Sequence, residues 1–192
     1  MTLYETLVGP RSRTFAGELT AMIAASLLLT ISAKLSIPFY PVPLSMQTLV
    51  AIALGLFLGP VRGSLAVFFY LAQGAAGLPV FVGTPQQGIG IAYMAGPTGG
   101  FLIGFAIQAF VAGSLFRLSM GRNLWTAIAA ALVAGAAIYP TGLLWLGFLV
   151  GFDKPVLTMG LFPFIPGDVM KAALAALLFV AGSRALPKGE ND

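Results

Sequence analysis

The chain has 192 residues, of which 58% are hydrophobic and 8% charged, with a formal net charge of +4. A soluble domain carries about 25% charged residues, so this chain has too little polar surface to meet water on all sides and its natural solvent is lipid. It contains no cysteine and no histidine, which excludes disulfides, a Ser–His–Asp triad, a cysteine nucleophile and a His-ligated metal; no cofactor is expected.

In lipid every backbone polar group must bond internally, so each span is predicted to be a helix of about 20 mostly apolar residues. The length fits one domain: residues 1–192 form a single transmembrane domain, with a short segment 1–16 before the first span and a tail 186–192 after the last. The first predicted span is 17–36, its apolar run bounded by Glu18 and Lys34. That run lacks a clean small-residue cleavage site, so a removed signal peptide is not expected. Pro38, Pro41 and Pro43 make the next segment extended, because proline pushes its predecessor out of the helical region. The second span, 43–58, is short, and Gly59-Pro60 separates it from the third, 61–78. A stretch rich in glycine and proline, 74–100, marks a long loop. The fourth span is 99–118; the fifth, 124–150, is long, and Pro140 inside it predicts a kink. Pro163 and Pro166 lead into the sixth, 167–185. The predicted fold is thus an all-α integral membrane protein with six transmembrane helices.

Six spans put both termini on one side, with Arg11, Arg13, Arg62, Arg117, Arg122, Arg184 and Lys188; the other side keeps Lys34 and Lys154 near its loops. Excess Lys and Arg mark the cytoplasmic side, so both termini are expected to be cytoplasmic and the Pro/Gly-rich loops outside. The same scatter of basic residues gives no stripe for a phosphate backbone to track, which argues against nucleic-acid binding.

Four features depart from the apolar background. Asp168 and Lys171, three apart at the start of the sixth span, share a helical face. Ionisable residues inside a span usually face a cavity and are functional candidates; a carboxylate beside an ammonium suits a ligand bearing both N–H groups and a carboxylate. The bland alternative is that Asp168 complements the helix dipole and Lys171 neutralises it or snorkels outward. Around Pro38, Phe39, Tyr40 and Gln47 set aromatic and amide groups at the outer mouth. An interfacial aromatic belt would explain Tyr40, and an interhelical hydrogen bond would explain Gln47. Gly96-Pro97-Thr98-Gly99-Gly100, with Tyr93 upstream, lacks the Gly-Lys-Ser/Thr of a phosphate loop and reads as a tight turn that brings backbone close to a ligand or to another helix. Gly17, Ala21 and Ala25 repeat every four residues along the first span, a spacing that permits close helix approach and that taken alone favours internal packing.

The runs Ile-Pro-Phe-Tyr-Pro-Val-Pro-Leu-Ser-Met-Gln-Thr-Leu, Gly-Pro-Thr-Gly-Gly-Phe and Phe-Ile-Pro-Gly-Asp-Val-Met-Lys resemble the BioY family, the biotin-binding S components of energy-coupling-factor (ECF) transporters. The likeness runs in order from about Thr20 to Ala181. It implies an ECF S-component-like fold with an outward-facing vitamin cavity lined by Asp168 and Lys171, in the bacterial cytoplasmic (inner) membrane. It also implies partners met through Gly17, Ala21 and Ala25: a transmembrane coupling (T) component and cytoplasmic ATPase subunits. This chain has no Walker motif, as delegated energy requires. On biotin, Asp168 would accept from the ureido N–H groups, Gln47 and Thr98 would serve the ureido carbonyl, and Phe39, Tyr93 and Phe164 would pack the rings. Lys171 would pair with Asp168 or with the biotin carboxylate. The alternatives are an S component for another small vitamin, or a membrane-embedded enzyme. The single in-span carboxylate argues against the enzyme, since acid–base chemistry usually needs two poised groups.

Overall fold

The computed structural model describes residues 14–118 and 123–185. Arg11, Arg13, Arg122 and Lys188, four of the basic residues used for orientation, lie outside them, as do 1–13 and the tail 186–192.

The described chain is mostly helical. Helix α1 runs Phe15–Lys34, capped by the Thr14 side chain accepting from the Gly17 amide, with Glu18 in its first turn and Lys34 in its last; both charges complement the helix dipole. It ends before the predicted 36, because the proline-rich segment folds back on itself. Ser36–Ile37 (β1) and Leu44–Ser45 (β2) pair antiparallel, Ser36 opposite Ser45 and Ile37 opposite Leu44. The all-α expectation is corrected to this extent, and α2 begins only at Gln47.

Helices α2 (Gln47–Leu58) and α3 (Pro60–Ala75) form a tight hairpin turning on one residue, Gly59, at φ 84°. That left-handed value favours glycine, and Pro60 starts α3, where its missing N–H costs nothing. Loop 76–98 carries a short helix, α4 (Gly90–Met94). Helix α5 (Gly99–Leu118) follows, then α6 (Leu124–Ala136) and α7 (Tyr139–Val150), a short α8 (Val156–Gly160) and the last helix, α9 (Ile165–Ala185). The predicted fifth span is therefore two helices broken just before Pro140, and the sixth begins two residues earlier than read from sequence.

Among the described residues, four helical stretches are long and apolar enough to cross a membrane: Phe15–Lys34, Gly99–Leu118, Leu124–Val150 and Val156–Arg184. The shortfall from six lies in the α2–α3 hairpin. At 1.5 Å per residue, α2 and α3 rise about 18 and 24 Å, less than the roughly 30 Å of a hydrocarbon core.

Helix α5 is the hub, packed against α2, α3, α6 and α7, while α9 packs on α6 and α2, and α1 on α3 and α2. Two glycines let the α2–α3 hairpin and α5 approach closely: a Cβ at Gly55 would meet the Ala109 backbone, and one at Gly113 would meet Pro60 and the Gly55 carbonyl. The core has two parts. One gathers Tyr70, Phe81, Phe101, Phe105 and Phe164 near the loops; the other packs alanines of α6 and α9 against Ile52, Leu56 and Phe179 toward the opposite end.

Candidate functional site

Asp168 lies in the first turn of α9 and is 7% exposed. A buried carboxylate needs partners, and both its oxygens have them. The Lys171 ammonium is 3.1 Å from Oδ1, the i,i+3 contact that their spacing predicted. The Tyr139 hydroxyl donates to Oδ2 at 2.7 Å. The Asp168 carboxylate thus serves side chains of two helices and is more than a dipole complement for its own. Around it closes a cavity of about 30 Å³, whose lining includes Ser45, Thr48, Phe101, Tyr139, Phe164 and Lys171. Phe164 stacks on Phe101 with centroids 6.3 Å apart and meets Phe39 edge-on at 6.2 Å. The result is an aromatic wall beside a polar head, with Phe39 40% exposed at its rim. A larger groove of about 230 Å³ lies on the other side of Asp168 and Tyr139, between α6 and α9, and is lined by Leu132, Gly135, Ile165 and Val169 among others.

Gln47 belongs to a second, neighbouring network. Its amide donates to the Tyr70 hydroxyl at 2.9 Å, and Tyr70 donates on to the Val80 carbonyl at 3.0 Å. The buried Gln47 amide therefore has an interhelical partner. Ser45 joins the two networks, since it lines the Asp168 cavity and donates to Gln47 Oε1 at 3.2 Å. Tyr70 meets Phe81 edge-on at 5.4 Å, and Phe81 stacks on Tyr93 at 5.1 Å. Burial pushes the Tyr93 phenol above its ordinary pKa, against the opposing pull of Thr98. Tyr93 and Thr98 thus group with Gln47, beside the Asp168 cavity. Lys34 fixes the loop above them, donating to the Phe81 carbonyl at 2.9 Å and to the Thr84 carbonyl at 3.1 Å.

The glycines of the 96–100 turn answer to another helix. The Trp145 indole of α7 donates to the Gly96 carbonyl at 2.9 Å. A Cβ at Gly100 would collide with Trp145 and the Thr141 carbonyl, and one at Gly99 with the Met94 carbonyl. Along α1, Ala25 is buried in the core while Gly17 and Ala21 are half-buried. Ser26 on the same side hydrogen-bonds Gln73 of α3, and Glu18 holds Arg62 of α3 at 2.8 Å. The opposite face of α1 exposes Leu19, Ile23, Leu27, Leu28 and Ile31.

Of the residues singled out in the sequence, the structure gathers Asp168, Lys171, Phe164 and Phe39 around one cavity, together with Tyr139, Ser45, Thr48 and Phe101, which the sequence reading did not propose for a site. A signal for Tyr139 existed. A tyrosine at the middle of an apolar span, far from either interface, needs a hydroxyl partner, and it stands immediately before the kinking Pro140.

Comparison with known proteins places the chain among similar proteins of one family. The family model described as the BioY family matches residues 7–188. A "Probable biotin transporter BioY" of Pyrococcus horikoshii is 38% identical over 161 residues, 84% of this chain and 91% of the relative. The "Biotin transporter BioY" of Rhizobium etli is 37% identical over 168 residues, 83% of this chain and 88% of the relative. That of Thermotoga maritima is 36% identical over 164 residues, 85% and 90%. Among solved structures, the S-component for biotin from an ECF-type ABC transporter superposes with a TM-score of 0.74 at 29% identity, covering 88% of this chain and 92% of that one.

Proposed function

The chain belongs to the BioY family, and we propose that it is the membrane-embedded, biotin-binding S component of an ECF transporter. The observation that carries the reading is the buried Asp168 carboxylate, flanked by Lys171 and by the Phe101–Phe164 wall in a chain otherwise made for lipid. Biotin offers ureido N–H donors, a flat apolar bicycle and an anionic tail. A carboxylate acceptor makes a hydrogen bond roughly twice as strong as a neutral one, so Asp168 takes the ureido N–H. Phe164, Phe101 and Phe39 pack the rings. Ser45 and Gln47, with Tyr93 and Thr98 behind them, complete the polar lining. Lys171 neutralises Asp168 before binding and turns to the biotin carboxylate in the complex.

The cavity of about 30 Å³ has room for a water-sized occupant. Biotin enters when the 36–46 segment, with Phe39 at its exposed tip, moves away from Phe164. The chain does no covalent chemistry, in keeping with relatives named as transporters. It lies in the cytoplasmic membrane with both termini on the cytoplasmic side. The short α2–α3 hairpin supplies the remaining two of six crossings through a locally thinned bilayer. Helix α1 meets the coupling component through Gly17, Ala21 and the adjoining flank, and cytoplasmic ATPases supply the energy.

Calorimetric titration of the purified full chain with biotin, and with other small vitamins in parallel, tests the proposal. Saturable binding of biotin alone supports it. Binding of a different vitamin in preference to biotin would reassign the substrate while keeping the fold, and labelled-biotin uptake by cells expressing the transporter would decide transport.

A further inference from the structure

A carboxylate turns easily about its last torsion, because rotation between an sp³ and an sp² carbon has broad, shallow wells. Aim therefore has to come from its partners. Lys171 is a weak guide, since an ammonium is a compact charge on a flexible stem with no preferred plane. The Tyr139 phenol is the opposite: a rigid ring with one hydroxyl, set 2.7 Å from Asp168 Oδ2. Its own position is fixed at the α6–α7 break. Ile138 beside it is buried, and Pro140 after it fixes the turn into α7. The break is closed by the Ala137 amide, which donates to the Val133 and Ala134 carbonyls at 3.1 Å.

We propose that Tyr139 is a positioning residue for the ligand, locking the plane of the Asp168 carboxylate so that its remaining lone pairs face the cavity. The inference rests on Asp168 being the acceptor for the ligand's N–H. An ionised carboxylate has about four lone-pair sites. Tyr139 takes one on Oδ2 and Lys171 one on Oδ1, which leaves one on each oxygen for a donor arriving from the side of Ser45 and Thr48. Tyr139 and Asp168 also line both the inner cavity and the groove between α6 and α9. Their hydrogen bond is thus the wall that keeps the ligand's polar end from the lipid side. The α6–α7 break gains a purpose, since without it the span would carry its tyrosine along a continuous helix rather than from the start of a new one.

The test is a double-mutant cycle on the full chain in detergent, with biotin affinity measured by calorimetry. Tyr139→Phe keeps the ring and removes the hydroxyl. It should weaken biotin roughly tenfold, about the value of one hydrogen bond to a charged group. In an Asp168→Asn background it should add little, because the charged acceptor whose plane Tyr139 fixes is already gone. A merely structural role would add in full to Asp168→Asn and would overturn the proposal, as would wild-type affinity in Tyr139→Phe. If Asp168→Asn alone keeps full affinity, the assignment of Asp168 itself is wrong. If Asp168→Asn is weak and Tyr139→Phe is not, only the role of Tyr139 fails. Should Tyr139→Phe fold poorly, 3-fluorotyrosine at position 139 retains the hydroxyl. Its ¹⁹F resonance should move on Asp168→Asn and on biotin addition, and a resonance indifferent to both would refute the contact.

Discussion

Replacing Asp168 with asparagine keeps the size of the side chain and removes its charge. In the structure that carboxylate is 7% exposed and holds Lys171 at 3.1 Å and the Tyr139 hydroxyl at 2.7 Å. Water has little access, so nothing replaces the lost charge-assisted bond to a ligand N–H. Such a bond contributes about 1.5–3 kcal/mol net, which is a loss of roughly ten- to hundredfold in affinity. Stability should fall as well, because removing one partner leaves Lys171 an unpaired cation, and breaking a buried ion pair costs about 3–5 kcal/mol. Lys171 stands nearly two turns from the start of α9 on a flexible stem, and turning its head outward recovers part of that cost. The amide oxygen still accepts from Tyr139. The expected variant is folded, with a lowered melting temperature and much weaker biotin binding in a calorimetric titration. Biotin affinity close to wild type in a folded Asp168→Asn protein would refute the site assignment and return Asp168 to a helix-terminal role.

Lys171→Met separates the two duties of the lysine: if it meets the ligand carboxylate, a biotin amide should bind wild type less tightly than biotin does, yet lose little more in the variant. Ala21→Trp, on the half-buried flank of α1, should block assembly with the coupling component while leaving biotin binding intact in pull-down and titration. Ala25→Trp should lower the melting temperature, because Ala25 is 3% exposed in the core and overpacking costs about 1–3 kcal/mol or more. The natural absence of cysteine makes topology directly testable. Pro41→Cys, Gln86→Cys and Lys154→Cys should react with an impermeant thiol reagent in whole cells, and labelling of Arg62→Cys in their place would invert the orientation. Gly55→Leu would drive a side chain into the Ala109 backbone, so little folded protein should survive size-exclusion chromatography.

The sequence alone determined the helices, their main breaks and the face shared by Asp168 and Lys171. These are local properties. An apolar run in lipid must be helical to satisfy its own backbone, proline and glycine stop it wherever they stand, and three residues on a helix are one turn wherever it packs. Even there the reading of α1 ran two residues past its end and that of α2 began four residues early, because the β1–β2 pairing of Ser36 with Ser45 is a contact across a loop that no local pattern announces. The count of crossings also outran the helix lengths, since hydropathy measures apolarity while spanning also requires about 30 Å of rise. Which polar groups meet across helices was decided by tertiary structure alone. Tyr139 reaches Asp168 from 29 positions away, Tyr70 reaches Gln47 from 23, and Trp145 reaches the Gly96 carbonyl from 49. Each partner is chosen by how two helices cross and which small residue lets them approach, as Gly100 does for Trp145. Those choices follow from packing the whole bundle at once, so one helix read by itself shows that Asp168 and Gln47 need partners and leaves open which residues supply them.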